Sequence, residues 1–158
     1  MTPQAFLRTE DLRALIAQLV GTQPWRSRAG NGTGSIFTME FGEPLPTDAT
    51  QGAFSLMVYC AWRIVRGDEV LLSWHDDSDA VLAPGLAALE GLPVTAVELS
   101  AWRDLTVRFA DGRALHILND FSPHQDFDCN WFVIHQGRQA YGVQPDNTIV
   151  LEPVGGKD

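Results

Sequence analysis

Basic residues are scarce in this chain. Its 158 residues include 11 lysines and arginines against 20 acidic residues, so the formal net charge is −9. The one lysine, Lys157, lies almost at the end of the sequence. Proteins that bind nucleic acid neutralise phosphates with clustered lysine and arginine, and we therefore expect no nucleic-acid partner. The acidic surface is compatible with a basic protein partner, or with solubility alone.

Long apolar runs and catalytic signatures are also missing. No stretch approaches the ~20 apolar residues that a membrane span requires, and residues 1–8 do not form a secretory signal. The two cysteines, Cys60 and Cys129, are expected to be reduced thiols in such a chain. The glycine-rich segment 30–34 matches neither the dinucleotide fingerprint nor a phosphate loop. We expect a cytoplasmic protein that takes no cofactor and does not enter a membrane.

What the chain does contain is a segment that occurs twice. Residues 60–67 and 129–137 both begin with Cys-x-Trp and end in glycine. Upstream features recur in the same order about 70 residues apart, which is the pattern of an internal repeat. We interpret it as a duplicated helix-plus-strands unit, approximately 9–76 and 84–146, with pseudo-twofold symmetry. Units this small would share one core, so the prediction is a single domain, 1–158.

Apolar periodicity predicts the elements of each copy. Leucines and an isoleucine at helical spacing predict a helix that starts after the N-cap Thr9 and stops at Gly21, and Pro84 opens a second short helix that closes at Gly91. About eight to ten strands joined by tight turns, including Asp111-Gly112, favour antiparallel pairing. The predicted fold class is α+β, β-rich, a mostly antiparallel sheet with two short helices. Residues 43–52 are predicted to be a loop, and 54–65 one long strand.

Two polar segments contain the side chains that catalysis or metal binding uses. A divalent metal is the functional interpretation of the first segment, and a hydrolase or metal site is that of the second; a solvated surface is the alternative for both. Neighbouring residues on a strand face opposite ways, which weakens the metal interpretation of the first segment, and the second matches no zinc-ligand spacing. We assign neither a metal nor a catalytic residue. The first segment contains His75, Asp76, Asp77 and Asp79, and the second contains His116, Asn119, Asp120, His124, Asp126 and Asp128.

The repeat divides the five tryptophans into duplicated and unduplicated ones, and both cysteines belong to it. Trp62 and Trp131 are duplicated, each two residues after a cysteine, which predicts core positions for them and structural roles for both thiols. Trp25, Trp74 and Trp102 are not duplicated, and they are either binding anchors or parts of an asymmetric core. The residues that we select as candidate binding residues are Trp74, His75, Asp76, Trp102, His116, His124, Asp126 and Asp128.

The motifs also resemble those of a family of small bacterial proteins with no established activity. The matching residues are Trp62-Arg63-Ile64, Ser73, Leu89-x-Gly91, the Phe109-Ala110-Asp111-Gly112 turn and Asn130-Trp131, within residues 21–143. These are packing and turn motifs, and the chain departs from the family where Trp74-His75 follow Ser73 and displace the acidic residue to Asp76. The resemblance implies no catalytic residue. Small acidic bacterial domains of this kind also resemble immunity proteins of toxin systems.

Together these features predict a non-enzymatic bacterial domain that binds a partner protein, with an immunity protein for a basic partner as one form of it. The alternative is a metal-dependent enzyme or a small-ligand binder that uses the polar loop 116–128. The sequence leaves the oligomeric state and the identity of the partner open.

Overall fold

The computed structural model describes residues 5–120 and 129–154, which form twelve strands and two short helices. In chain order these are β1 (Ala5–Leu7), α1 (Thr9–Ala17), β2 (Pro24–Ala29), β3 (Phe37–Leu45), β4 (Asp48–Val58), β5 (Ala61–Arg66), β6 (Glu69–Ser73), a π-helical turn (Ser78–Leu82), α2 (Ala83–Ala87), β7 (Val94–Leu99), β8 (Leu105–Phe109), β9 (Arg113–Leu118), β10 (Trp131–His135), β11 (Gln139–Val143) and β12 (Ile149–Pro153).

The strands form two antiparallel sheets. The larger sheet has the order β1-β12-β11-β10-β4-β3-β2, and the smaller sheet has the order β6-β5-β9-β8-β7. The predicted class, a β-rich α+β fold with antiparallel pairing and two short helices, is confirmed at this level. In the part of the chain that the structure describes, no helix is long and apolar enough to cross a membrane.

Side chains from both sheets and both helices bury one apolar core. Trp62 on β5 and Trp131 on β10 are fully buried, as the repeat predicts. The helices add their apolar faces, since α1 buries Leu12 and Ile16 while α2 buries Leu86. Helix α1 packs against β7, and α2 packs against β2. Each helix therefore covers an edge strand.

The first helix begins one residue earlier than the sequence predicts. Arg8, rather than Thr9, is the N-cap, and the Asp11 carboxylate accepts the Arg8 N–H at 3.1 Å. A carboxylate in the first turn satisfies an otherwise unpaired amide and interacts favourably with the helix dipole. The chain then turns at Gly21, whose φ is +90°, a conformation that favours glycine.

Two predicted elements differ in the structure. Residues 43–52 are not a loop, because β3 continues to Leu45 and pairs with β4 through register shifts on either side of Pro44. The predicted long strand 54–65 is two strands, since the chain leaves the larger sheet after Val58 and enters the smaller sheet at Ala61. The apolar alternation continues across this crossing because both sheets face the same core.

The two halves of the chain make several contacts in matching places. The indole N–H of Trp62 donates to the Ser35 carbonyl at 2.8 Å, and that of Trp131 donates to the Arg103 carbonyl at 3.0 Å. Both sheets also carry a register shift near the start of their outermost hairpin, at Pro24/Arg26 in the larger sheet and Val94/Ala96 in the smaller.

Candidate functional site

Strand β6 is an exposed apolar edge of the smaller sheet. It pairs with β5 on one side, and no described strand pairs with it on the other. Val70 is 55% exposed and Leu71 38%, and Trp74, directly after the strand, is 39% exposed. A strand edge with free backbone groups is a template for pairing with another chain. We call the segment Glu69–Trp74 the β6 edge.

The other three sheet edges are covered or short. On β2, the Glu90 carboxylate accepts the Ser27 N–H at 2.8 Å, and Pro24 has no N–H to offer. On β7, the Arg13 guanidinium donates to the Leu99 carbonyl at 3.1 Å. Strand β1 has only three residues. Among the described strands, β6 is therefore the edge most open to a partner.

The turn after β6 holds three of the predicted binding residues. The Asp76 carboxylate accepts the Ser73 N–H at 2.9 Å, and the rings of Trp74 and His75 lie 4.3 Å apart. An incoming strand would pair with the part of the β6 edge that precedes Ser73, because Asp76 already occupies the Ser73 amide. The two rings form a continuous aromatic surface beside that part.

The neighbouring carboxylates do not converge on one point. Asp77 accepts the Ala80 N–H at 2.7 Å and caps the π-helical turn, whereas Asp79 accepts the Asn31 N–H at 2.7 Å. Each carboxylate holds a different backbone amide. Within residues 5–120 and 129–154, no group of three or more His, Cys, Asp or Glu residues is arranged to hold a metal ion.

A row of polar side chains crosses all five strands of the smaller sheet. Its members pair across neighbouring strands in the order Glu98, Thr106, His116, Arg63 and Ser73. Arg63 Nε donates to His116 Nδ1 at 3.2 Å, and Arg108 Nε donates to Glu98 Oε2 at 2.6 Å. Because His116 Nδ1 accepts this bond, the proton of the neutral ring is on Nε2. Both charged side chains of the row therefore have partners, Glu98 in Arg108 and Arg63 in His116.

Burial and the Arg63 charge lower the pKa of His116 below its ordinary value of 6.5. Replacing Arg63 with glutamine should raise that pKa, because it removes the cation that favours the neutral ring. NMR titration of the His116 ring measures the pKa directly. Arg66→Gln is the matched control, since Arg66 is on the same strand but lies against Asp111 at 3.6 Å. An unchanged His116 pKa in Arg63→Gln would contradict the assignment.

Trp102 lies at the opposite edge of the smaller sheet from Trp74. It is 62% exposed and occupies the turn between β7 and β8. Adjacent strands are about 4.8 Å apart, so the first and fifth strands are separated by roughly 19 Å. Trp74 and Trp102 therefore do not form one site. Ser100 and Asp104, on either side of Trp102, border a groove of about 370 Å³ that also includes His116.

Part of the predicted polar loop lies outside the described residues. This holds for His124, Asp126 and Asp128, so a site at 116–128 stays a prediction. The described members have structural roles. Asn119 is buried, its side-chain oxygen accepts the Asn130 amide at 2.7 Å, and its backbone N–H donates to Asp104 at 2.6 Å.

The sequence analysis missed two polar groups on the larger sheet. Glu40 is 5% exposed, and its Oε1 accepts both the Gly52 N–H at 2.9 Å and the Ser55 hydroxyl at 2.5 Å. This carboxylate holds β3 and β4 together at their register shifts. The second group is Arg28, which borders the largest of the grooves described here, about 520 Å³. Neither residue belongs to a motif, so only the strand pairing shows where they lie.

Comparison with family models, with curated proteins and with solved structures found no match.

Proposed function

We propose that this chain is a non-enzymatic, cytoplasmic bacterial domain that binds a partner protein by adding an extended basic segment of that partner to the β6 edge. The observation that carries the proposal is the exposed apolar edge beside acidic residues. In strand addition, main-chain hydrogen bonds supply affinity while alternate side chains supply specificity. Trp74 is the aromatic anchor, because large, partly buried aromatic residues contribute disproportionately to binding energy.

Charge around the edge favours a basic segment. Asp68 and Glu69 stand at the start of β6, Asp76 and Asp77 follow its end, and all four are exposed. Acidic residues at both ends of a docking strand attract a basic partner and repel an acidic one. The net charge of −9 acts in the same direction at longer range. A toxin with a basic surface is one partner of this class, and a toxin-like neighbouring gene would favour it.

We also propose that the domain is an internal duplication with pseudo-twofold symmetry. In this scheme the strands β2, β3, β4, β5 and β6 of the first copy correspond, in that order, to β7, β8, β9, β10 and β11 of the second. Exchanging each strand for its counterpart turns the order β11-β10-β4-β3-β2 of the larger sheet into β6-β5-β9-β8-β7, which is the order of the smaller sheet. The register supports the same correspondence, since Trp62 pairs with Ile117 and Trp131 pairs with Val58.

Contacts at the helix ends give independent support. The Gly21 N–H donates to the Val94 carbonyl at 2.9 Å, and the Gly91 N–H donates to the Pro24 carbonyl at 2.6 Å. Each copy thus contributes the helix end that covers the first strand of the other copy. A reciprocal exchange of this kind is what a pseudo-twofold axis between two copies produces.

The duplication allows the free side of β6 to be compared with the same side of its counterpart in the other copy. Its counterpart β11 is paired on its outer side with β12, which in turn pairs with β1. The described part of the smaller sheet has no strand in the corresponding place beside β6. We infer that the partner segment takes this place.

Binding of a short synthetic peptide that alternates lysine and valine tests the proposed function. We expect saturable binding that weakens as salt increases, together with NMR shift changes on β5 and β6. A peptide that alternates glutamate and valine should bind at least tenfold more weakly. Trp74→Ala should weaken binding of the basic peptide by about tenfold or more, because it removes the anchor.

Trp102→Ala is the matched control, since it removes an exposed tryptophan from the opposite edge of the same sheet. It should leave the affinity within about twofold. The proposal is wrong if the basic peptide does not bind, if both peptides bind equally, or if the two tryptophan variants lose the same affinity.

A further inference from the structure

The outer face of the larger sheet carries a groove of about 520 Å³ beside β2. Its floor includes a row of three side chains paired across neighbouring strands, Arg28 with Thr38 and Thr38 with Met57. The glycine-rich loop after β2 and the exposed side of α2 complete the lining. Its lining combines apolar and polar side chains, and a groove of several hundred Å³ has the size of a small-molecule site.

The polar end of this groove is the Arg28 guanidinium, which has no side-chain partner among the described residues. Among residues 5–120 and 129–154, no hydrogen-bond acceptor or carboxylate is paired with Arg28. The nearest arginine on the same strand differs, because Arg26 donates to the Thr50 carbonyl at 2.6 Å. An arginine fork presents several N–H donors in one plane, a geometry that matches a carboxylate.

The carboxylates nearest to Arg28 on the same face accept hydrogen bonds from other residues. Arg28 also borders a smaller groove of about 230 Å³ that contains Glu40 and Asp48. The Asp48 carboxylate accepts the Thr50 N–H and hydroxyl at 3.0 and 2.6 Å, and hydrogen bonds to Thr50 lower its pKa. Glu40 accepts its two bonds from Gly52 and Ser55. Neither carboxylate forms an ion pair with Arg28, so the N–H groups of its guanidinium remain available to an external anion.

The opposite end of the groove is apolar. Met57 and Ile36 are partly exposed there, whereas Ala83 and Ala87 of α2 line the groove on the side of β2, the strand that α2 contacts. Arg28 and Met57 stand two strands apart, a separation of roughly 10 Å. The floor thus changes from cationic to apolar over the length of a short alkyl chain.

The matching groove of the smaller sheet lacks the combination of an unpaired cation with an apolar floor. Glu98, Thr106 and His116 hold the places there that Arg28, Thr38 and Met57 hold in the larger sheet. Glu98 is paired with Arg108 at 2.6 Å, and His116 accepts from Arg63 at 3.2 Å. Its charges are satisfied within the sheet, and a polar ring replaces the apolar Met57. The unpaired cation and the apolar floor occur together in the Arg28 groove.

We propose that the Arg28 groove binds a small carboxylic acid with an apolar tail. The carboxylate would accept hydrogen bonds from the guanidinium of Arg28, with the hydroxyl of Thr38 beside it. The tail would lie over Thr38 towards Met57. This site is on the larger sheet and does not depend on partner binding at the β6 edge.

Octanoate is the probe that tests this assignment, by calorimetry and by NMR shift mapping on the full chain. We expect one saturable site with a dissociation constant of about 1 mM or lower, with shift changes at Thr38, Met57 and Ala87. Arg28→Gln should weaken octanoate binding by tenfold or more, because a charge-assisted hydrogen bond is lost. Ala87→Leu, on the exposed side of α2, should weaken binding by filling the groove while keeping the charge.

Arg26→Gln is the matched control, since it removes the same charge two residues away on the same strand, and it should change the affinity by less than about threefold. Octanol and octylamine separate the contributions of tail and charge, and both should bind at least tenfold more weakly than octanoate. The proposal is overturned if octanoate does not bind, if Arg28→Gln and Arg26→Gln weaken it equally, or if octanol binds as tightly.

Discussion

Replacing Trp62 or Trp131 with alanine is expected to lower the free energy of unfolding by about 3–5 kcal/mol in each case. Both side chains are fully buried, so each substitution removes apolar contacts and leaves a cavity. Each also removes the indole donor to a backbone carbonyl, Ser35 for Trp62 and Arg103 for Trp131. Urea denaturation followed by circular dichroism measures the change through the midpoint and the slope.

If the alanine variants do not fold, phenylalanine variants at the same two positions still allow the two tryptophans to be compared. Phenylalanine retains most of the buried ring but not the N–H donor, and we expect it to cost about 1–3 kcal/mol at either position. Trp102→Ala is the matched control, because the side chain is 62% exposed and its loss should cost about 1 kcal/mol or less. A large cost at Trp62 with a small one at Trp131 would contradict the equivalent roles that the duplication implies.

The parts of the fold that could be predicted are those in which a local pattern and the shared core agree. Leu12 and Ile16 recur at helical spacing and are buried on α1, and Asp111-Gly112 lies in the turn between β8 and β9. Gly112 has a φ of +92°, which explains why glycine is needed in that turn. In these cases the information is contained in a few neighbouring residues.

The errors come from features that depend on distant residues. The prolines at 44 and 46 are turn signals, yet β3 continues past Pro44 to Leu45, and the Glu40 carboxylate accepts the Gly52 N–H across the register shift. The chain passes from the larger sheet to the smaller sheet between Val58 and Ala61. The alternation of apolar and polar residues does not change there, since both sheets bury the same face of the chain. Sequence periodicity reports which side is buried, not which sheet buries it.

The candidate site shows the same limit. Trp74 and Trp102 are alike in sequence terms, but the strand order places them at opposite edges of the smaller sheet. Asp76, Asp77 and Asp79 are close in sequence, but each bonds a different backbone amide, which a list of residue types does not reveal. Arg28 belongs to no sequence motif, and what distinguishes it is that its guanidinium has no partner among the described residues.

In the folded protein, Cys60 is expected to react with a maleimide about a thousandfold more slowly than an ordinary thiol at pH 8. Burial, with a smaller contribution from the charges of Asp104 and Asp120, raises the pKa of Cys60 from its ordinary value of 9.0 to about 12. The thiolate is the reactive form, so its fraction at pH 8 falls about a thousandfold. Cys60 is also partly buried, which limits the access of the reagent and slows the reaction further.

Mass spectrometry of a Cys129→Ser variant isolates the Cys60 reaction. The labelling rate in the native state should keep rising with pH through the range in which an ordinary thiol has levelled off, because the folded pKa lies above that of the unfolded chain. Unfolding in urea should restore ordinary reactivity and a rate that levels off near the ordinary thiol pKa. Rapid labelling of the native variant at pH 8 would contradict the structural role of this thiol and make Cys60 a candidate nucleophile. Slow labelling in both the native and the urea-unfolded variant would show that burial is not the cause.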